Sequence, residues 1–425
     1  MPLPIIPRGD IHDPVHFEQF SAEVPTFSQD FPLDAIGTPD VYVERQMYHG
    51  HDIRLPDGGE IEVWGFEDPD DDRNGLQFPS KPIRVAEGSL VHGRLKPRHG
   101  PHTIHWHGIE PMSSSDGVGK LSFEVEDTYV YQWLAAEAGT YFYHCHRNTT
   151  LHFEMGMYGA LIIDPHPPAA ETDLAAPYVT GGPGYVRRGD DLVRYDVERI
   201  WVADEMDPRW HELDKDSGIG DLPFDDPDDD PGLNIFQPEH FLITGVFHPL
   251  TRTDPRIVAR AKVGQKLLLR IICAGYTYHR WTLPLDAEVI AMDGRTLGTT
   301  GRPGAHSPYS YPFVQPAGTP FELSSARRWD LLITPTEAGT FPVTVEMFDI
   351  CSRPGDFRGS CETFIIVDPA DGDADGDGDV DLDDFSTLKN HYGTPSGATR
   401  AQGDFDGDGD VDLDDFAILK QTFGT

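Results

Sequence analysis

Short runs of β-branched and aromatic residues recur along the first part of the chain, separated by Gly, Pro, Asp and Asn. The runs fall at 41–43, 61–64, 82–85, 90–95, 129–133, 139–143 and 160–164. Runs of this kind bounded by turn residues predict β-strands, and a spacing of about ten residues predicts a sandwich or barrel. We therefore expect a β domain over residues 38–165.

A second series of similar runs follows at 199–202, 241–245, 266–272, 289–292, 330–333 and 341–345. It predicts a second β domain over residues 193–368. The intervening residues 166–192 are rich in Pro, Ala and Gly, which is typical of a linker. Residues 1–37 are Pro-rich and irregular and predict an extended arm, and residues 369–425 form a tail of different composition.

Length and charge limit the classes of partner. A chain of 425 residues suits two to four domains, and its formal net charge of −39 argues against binding to nucleic acid or an anionic membrane surface. No run approaches the ~20 apolar residues of a membrane helix, so we expect no membrane span. Met1–Arg8 lacks the charged and apolar regions of a signal peptide.

The candidate chemistry centres on residues 143–157, with the sequence YHCHRNTTLHFEMGM. A thiolate lies between two imidazoles there, and a further His and a Met follow. One Cys, imidazoles and a weak axial Met are the ligand set of a blue-copper site. The upstream segment 102–108, HTIHWHG, offers the His that completes such a set.

Side-chain parity sorts these residues into two groups. If 102–107 and 141–146 are paired strands, side chains two apart share a face and adjacent side chains do not. One face would carry a mononuclear copper site formed by His102, Cys145, His152 and Met157. The other would carry a four-imidazole cluster formed by His105, His107, His144 and His146. Cys145 would join the two covalently.

The patterns His-x-x-His-x-His-Gly and His-Cys-His followed by His-x-Glu-x-Gly-Met resemble the copper motifs of the multicopper oxidases, the laccase-like cupredoxin proteins. The resemblance implies two cupredoxin-like Greek-key β-sandwich or barrel domains in a mainly β fold. It implies type 1 copper ligands at His102, Cys145 and His152 with Met157 axial. It further implies type 2 copper at His105 and type 3 copper at His107, His144 and His146, and a ring edge of His152 that faces solvent.

The second domain resembles the second cupredoxin domain of laccases around Tyr278–Trp281 but has no His-x-His pair. We interpret its isolated His240, His248 and His279 as structural. The chain thus holds half of the eight His that a trinuclear cluster of this family needs. A second copy across a two-fold axis would supply the other half, which makes a homo-oligomer one expectation.

The remaining cysteines have other interpretations. Cys273 lies within an apolar run and is expected to be a small buried residue. Cys351 and Cys361 bracket a turn-rich loop, and we expect that they could form a hairpin disulfide.

The tail contains a twelve-residue pattern twice. Calcium loops carry oxygen ligands at positions 1, 3, 5, 7, 9 and 12 and Gly at position 6. The candidate ligands are Asp373, Asp375, Asp377, Asp379, Asp381 and Asp384, and in the second copy Asp404, Asp406, Asp408, Asp410, Asp412 and Asp415. Each loop precedes a short amphipathic stretch. The pair resembles a type I dockerin module, a small helical relative of EF-hands, which implies calcium and a docking partner.

Together the resemblances imply an extracytoplasmic copper-dependent oxidoreductase. It would take single electrons from a small-molecule or protein donor and pass them to the His cluster and oxygen. Three alternatives remain open: an electron-transfer or copper-binding protein with type 1 copper only, a nitrite-reductase-like enzyme using His107 and His144, and an interaction protein with a structural metal. One copper per chain would support the first, and about 2.5 per chain would support a shared trinuclear cluster.

Overall fold

Two four-stranded sheets enclose the first core. A computed structural model describes residues 26–27, 38–69, 77–98, 100–119, 123–213, 233, 236–299, 311–350 and 355–424. The strands of this part are β1 Thr26–Phe27, β2 Val41–Arg54, β3 Glu60–Glu67, β4 Ser80–Ala86, β5 Leu90–Lys96, β6 His105–His107, β7 Glu124–Val125, β8 Tyr129–Leu134, β9 Gly139–His144 and β10 Tyr158–Asp164. One sheet has the order β3-β2-β5-β8 and the other β4-β10-β9-β6. Their inner faces share a core that includes Trp64, Trp106 and Tyr143.

Both faces of β9 are buried. The metal motif, residues 143–157, therefore begins between two packed layers. Tyr141 and Tyr143 point into the first core. Phe142 points the other way and packs with Val202 and Ile272 of the second domain. Because successive side chains of a strand alternate, His144 shares the outward side with Phe142.

The second domain is a larger two-sheet unit. Its strands are β11 Gly184–Arg188, β12 Asp191–Tyr195, β13 Val197–Met206, β14 His240–Ile243, β15 Val246–Phe247, β16 Ala259–Lys262, β17 Leu267–Cys273, β18 Tyr278–Thr282, β19 Ala287–Met292, β20 Arg295–Thr296, β21 Phe313–Gln315, β22 Phe321–Leu323, β23 Arg328–Ile333, β24 Gly339–Phe348 and β25 Phe357–Asp368. One sheet follows the order β15-β14-β13-β17-β23-β19-β20, with β21 added at β19, and the other β16-β25-β24-β18-β22. The β11–β12 hairpin begins within the predicted linker.

A buried ion network fixes the two domains against each other. Arg84 of β4 contacts Asp164 and Glu198, each at 2.6 Å. Arg270 of β17 contacts Glu198 at 2.7 Å and Asp330 at 3.1 Å. Buried charges are tolerated when each has partners, and removal of one partner leaves a costly unpaired charge. The network therefore favours one relative placement of the domains.

Three α-helices occur in the described residues: α1 Thr149–Glu154 in the metal motif, and α2 Leu382–His391 and α3 Leu413–Thr422 in the tail. The tail helices each begin with an Asp capping box, Asp381 with Asp384 and Asp412 with Asp415. Their small core also contacts Val263 of the second domain. None of these helices is long and apolar enough to cross a membrane.

Candidate metal centre

A thiol and two imidazoles converge in the first core. The Cys145 Sγ lies 3.6 Å from His102 Nδ1 and 3.4 Å from His152 Nδ1. These three donor atoms all lie within 4.8 Å of one another, and all three side chains are fully buried. One soft sulfur with two imidazole nitrogens suits copper, so the residues present fit a copper ion.

Local backbone contacts bring these donors together. The strand β9 ends at His144, and the Cys145 N–H donates to the Met157 carbonyl at 3.0 Å. The intervening residues form α1, which returns His152 to the thiol. His102 lies before β6 and forms an isolated bridge with Val125. The predicted strands 102–107 and 141–146 are therefore shorter, but the predicted division of faces is retained.

Four imidazoles gather on the other side of Cys145. Ring centroids of His105 lie 5.4 Å from His107, 5.2 Å from His144 and 5.3 Å from His146. The His107 Nδ1 is 3.2 Å from the His144 Nε2. Donor atoms of His105, His107 and His144 lie within 4.8 Å of one another, so this triad can hold one metal ion.

Two family models match the chain. The model described as multicopper oxidase matches residues 73–168, and the model described as dockerin type I domain matches residues 371–424. Residues 73–168 are a multicopper oxidase domain, and residues 371–424 are a dockerin type I domain.

Known copper proteins and oxidases are similar in sequence to part of this chain. Copper resistance protein A of Escherichia coli is 42% identical over 95 residues, which cover 21% of this chain and 15% of that protein. L-ascorbate oxidase of Nicotiana tabacum is 36% identical over 118 residues, covering 26% of this chain and 18% of that protein. The chain thus matches less than a fifth of these relatives' own length.

Similarity in fold to a solved structure covers more of the chain than these sequence matches do and includes both β domains. The crystal structure of a blue copper oxidase from Nitrosomonas europaea is similar with a TM-score of 0.53 and 22% identity. The match covers 77% of this chain and 86% of that one. This similarity confirms the predicted mainly β, cupredoxin-like fold.

Burial sets the protonation of the ligands in the multicopper oxidase domain. It raises the pKa of the Cys145 thiol to about 11, so metal binding must displace a proton. Desolvation, with smaller effects from Arg328 and His105, lowers the pKa of His107 to about 3. Desolvation also lowers the pKa of His144 well below its usual value. Both rings are therefore neutral near pH 7, as metal ligands must be.

Backbone carbonyls orient the cluster imidazoles. The His144 Nδ1 lies 2.8 Å from the Cys145 carbonyl oxygen, and the His105 Nδ1 lies 2.8 Å from the Asp116 carbonyl oxygen. Since a carbonyl can only accept, each Nδ1 carries the proton, which leaves the Nε2 of each neutral ring unprotonated, as a metal donor must be. The turn that presents Asp116 requires Gly117, because a Cβ there would lie 1.8 Å from the Ile104 carbonyl oxygen.

The expected solvent-facing edge of His152 is absent: its ring has no exposed surface. Trp64 of β3 lies edge-on against His152, with ring centroids 5.5 Å apart. The main-chain N–H of Trp64 also donates to the Met155 carbonyl oxygen at 2.7 Å. The expectation was wrong because β3 packs directly over the helix that carries His152.

The second domain borders the four-His cluster on one side. Arg328 lies over the Phe142 ring at 5.5 Å, and Arg295 donates to the Gly108 carbonyl oxygen at 3.3 Å. His105, His107 and His146 are nevertheless half-buried rather than enclosed. The face that a second copy would need is therefore partly accessible.

The three isolated His of the second domain have separate surroundings. His279 is fully buried, and its Nε2 is 2.8 Å from Glu205. The His248 Nδ1 is 3.3 Å from the Thr251 hydroxyl. His240 packs its ring against Phe247. Within the described residues, these three His lie apart from the two clusters around Cys145, which agrees with a structural role.

Cys273 is fully buried in β17, as expected of a small apolar residue. Cys361 is buried in β25, while Cys351 lies outside the described residues. The disulfide between Cys351 and Cys361 stays a prediction.

The dockerin domain brings its acidic side chains together in both loops. Carboxylates of Asp373, Asp375 and Asp384 lie within 4.8 Å of one another, as do those of Asp404, Asp406 and Asp415. A further group joins Asp379, Asp381 and Asp384. The Asp377 carboxylate accepts the main-chain N–H of Asp379, and the Asp408 carboxylate accepts that of Asp410. Asp412 caps α3. Oxygen-only donor sets of this kind fit calcium.

Sequence reasoning missed His49 and Trp64, whose rings cover two of the copper-site imidazoles. A signal was present in Tyr48-His49-Gly50-His51, because Gly within a strand pattern indicates a bulge that redirects a side chain. The contact of the Asp116 carbonyl oxygen with His105 was missed as well.

Proposed function

We propose that this chain is a copper-dependent oxidoreductase of the multicopper oxidase type. The observation that carries the proposal is the position of Cys145. Its side chain lies in one imidazole cluster, while its neighbours His144 and His146 lie in the other. Two metal sites joined through one residue suit transfer of electrons between them.

His102, Cys145 and His152 would hold a type 1 copper, with Met157 as the axial ligand. A copper ion in such a set exchanges single electrons with little change of geometry. His105, His107 and His144 would hold a second copper, with His146 beside them. The chain's own part is to exclude water from the first site, hold His107 and His144 neutral, and connect both sites through the Cys145 backbone.

The donor gives up one electron at a time, and oxygen is the acceptor that the family suggests. The dockerin domain would attach the enzyme to a docking partner, of the cohesin kind, when calcium fills its loops. Such domains suit an extracytoplasmic protein. The proposal therefore places the oxidase outside the cytoplasm, on a larger assembly.

An optical spectrum with copper quantification tests this function. We expect intense thiolate-to-copper absorption at about 600 nm in copper-loaded protein. Cys145→Ser should abolish that band while copper at the His cluster remains detectable by electron paramagnetic resonance. Cys273→Ser is the matched control, because it removes another buried thiol and should leave the band intact. Copper-loaded wild type without colour would exclude the proposal.

A further inference from the structure

His49 and Trp64 form a stacked ring pair over the type 1 ligands. Their ring centroids are 4.3 Å apart with an interplanar angle of 29°. Trp64 lies edge-on to His152 at 5.5 Å, and His49 lies edge-on to His102 at 5.8 Å. The pair thus contacts both His102 and His152, the two imidazoles that converge on the Cys145 thiol.

A β-bulge aims His49 at this position. In the pairing of β2 with β3, Tyr48 faces Gly65 and His51 faces Val63, so His49 and Gly50 together oppose Trp64. Gly50 has a φ of +72°, the left-handed conformation that this kind of bulge needs. The extra residue turns the imidazole toward Trp64, where regular alternation would not place it.

Burial decides which of these rings a donor can reach. His102 and His152 have no exposed surface, and Trp64 is 4% exposed. His49 is half-buried, so among these four rings it is the one nearest to solvent. Of these four rings, His49 is therefore the one that a donor outside the protein can approach most closely.

We propose that the His49–Trp64 pair is the entrance through which electrons reach the type 1 site, and that it favours cationic donors. The inference rests on the proposed function. One electron leaves the donor, crosses the two rings, and arrives at the His102 and His152 imidazoles. A copper ion held by these ligands would accept that electron and change from Cu(II) to Cu(I), while both rings and all bonds stay unchanged.

Charge around the entrance supports the donor class. The Trp64 Nε1–H donates to Glu62 Oε1 at 2.7 Å, which holds a carboxylate at the edge of the ring pair. Asp52 faces Glu62 across the two strands. The whole chain carries a formal charge of −39. A negative surface attracts cations and repels anions, and salt weakens both effects.

Anaerobic stopped-flow reduction of the blue band tests the entrance. Raising the salt concentration should slow reduction of wild type by hexaammineruthenium(II) by roughly tenfold and should speed reduction by ferrocyanide, because salt screens both the attraction and the repulsion. His49→Ala should keep the blue absorption and the copper resonance spectrum but slow reduction by roughly tenfold or more, because a contact is lost between donor and ligand. Trp64→Phe should slow it less, since a ring remains.

His51→Ala is the matched control, because it removes a half-buried imidazole two residues away on the same strand. Its reduction rate should equal that of wild type. An unchanged or faster rate in His49→Ala, with the blue band intact, would overturn the inference while leaving the proposed function in place. Absence of the band in wild type would instead defeat the proposed function itself.

Copper-free protein gives an independent readout. Hexaamminechromium(III) is a paramagnetic, redox-inert cation of the same shape as the ruthenium donor. With ¹³C-labelled histidine, we expect it to broaden the His49 ring resonances more than those of His51. Equal broadening of the two would contradict the docking of cations at this entrance.

Discussion

The main-chain carbonyl oxygen of Cys145 accepts a hydrogen bond from Nδ1 of His144 at 2.8 Å. The Cys145 Sγ meanwhile lies 3.4 Å from His152 on the opposite side. One residue thus orients a candidate ligand of the His cluster with its backbone and supplies a candidate ligand of the other site with its side chain. The hydrogen bond closes a short path between the two sites, which is what transfer of electrons requires.

Met157 offers a test of the axial ligand. Met157→Leu should keep the blue colour but raise the reduction potential, because removal of a weak donor disfavours Cu(II). The swap nearly conserves volume in a fully buried position, so the stability cost should stay below about 1.5 kcal/mol. Redox titration measures the change. Met155→Leu, also fully buried, is the control, and an equal rise in that variant would argue against axial ligation.

Copper content separates the remaining alternatives for the His cluster. We expect more than one copper per chain, because donor atoms of His105, His107 and His144 converge within 4.8 Å of one another. About two per chain would indicate a separate His-bound copper, and about 2.5 would indicate a trinuclear cluster shared between two copies. Elemental analysis and light scattering on the same sample decide between them.

His105→Ala is the informative variant for this cluster. It should lower the copper content without loss of the blue band, since His105 lies outside the Cys145 site. A monomer with about one copper per chain would exclude the shared cluster and favour a protein with type 1 copper only.

Calcium should control the dockerin domain. Without it, each loop holds closely spaced carboxylates that repel one another, as the raised pKa of Asp379 beside Asp377 illustrates. In the full chain, calcium should bind once per loop and protect residues 371–425 from proteases, and a chelator should reverse this. Limited proteolysis and titration calorimetry measure the two effects.

Paired variants separate calcium ligation from charge alone. Asp375→Asn with Asp406→Asn removes a carboxylate from each ligand group and should abolish the response. Asp383→Asn with Asp414→Asn removes the same charge from exposed positions outside the predicted ligand set and should retain it. The same loss in both pairs would indicate an acidic tail without defined calcium sites.

Asp204 should make stability depend on pH. Burial, and then the charge of Glu205, raises its pKa from 3.8 to about 7. The folded state therefore holds a proton between about pH 4 and 7 that the unfolded state releases. The stability that this proton gives is complete at low pH and is lost as pH rises through 7.

Urea unfolding across this range measures the effect. Asp204→Asn should flatten the decline of the free energy of unfolding, because the amide cannot titrate. The matched control Asp191→Asn removes an exposed carboxylate and should retain the decline. A decline in Asp204→Asn as steep as in wild type would assign the pH dependence to other groups.

The sequence alone determined the mainly β class, the ligand types and their division between two faces. Period-two alternation is a local property of strands, so it separated Cys145 from His144 before any tertiary contact was known. The loops predicted to bind calcium were equally readable, because their candidate ligands and turn glycines lie within twelve consecutive residues. Local spacing was sufficient in both cases.

Only the tertiary structure decided what covers the copper site. His49 and Trp64 lie far from Cys145 in sequence, and a bulge breaks the alternation that would have predicted their orientation. The approach of Arg328 to the His cluster likewise depends on how two domains pack, fixed by buried charges around Arg84 and Arg270. Such contacts arise from long-range burial, which leaves no fixed spacing in the chain.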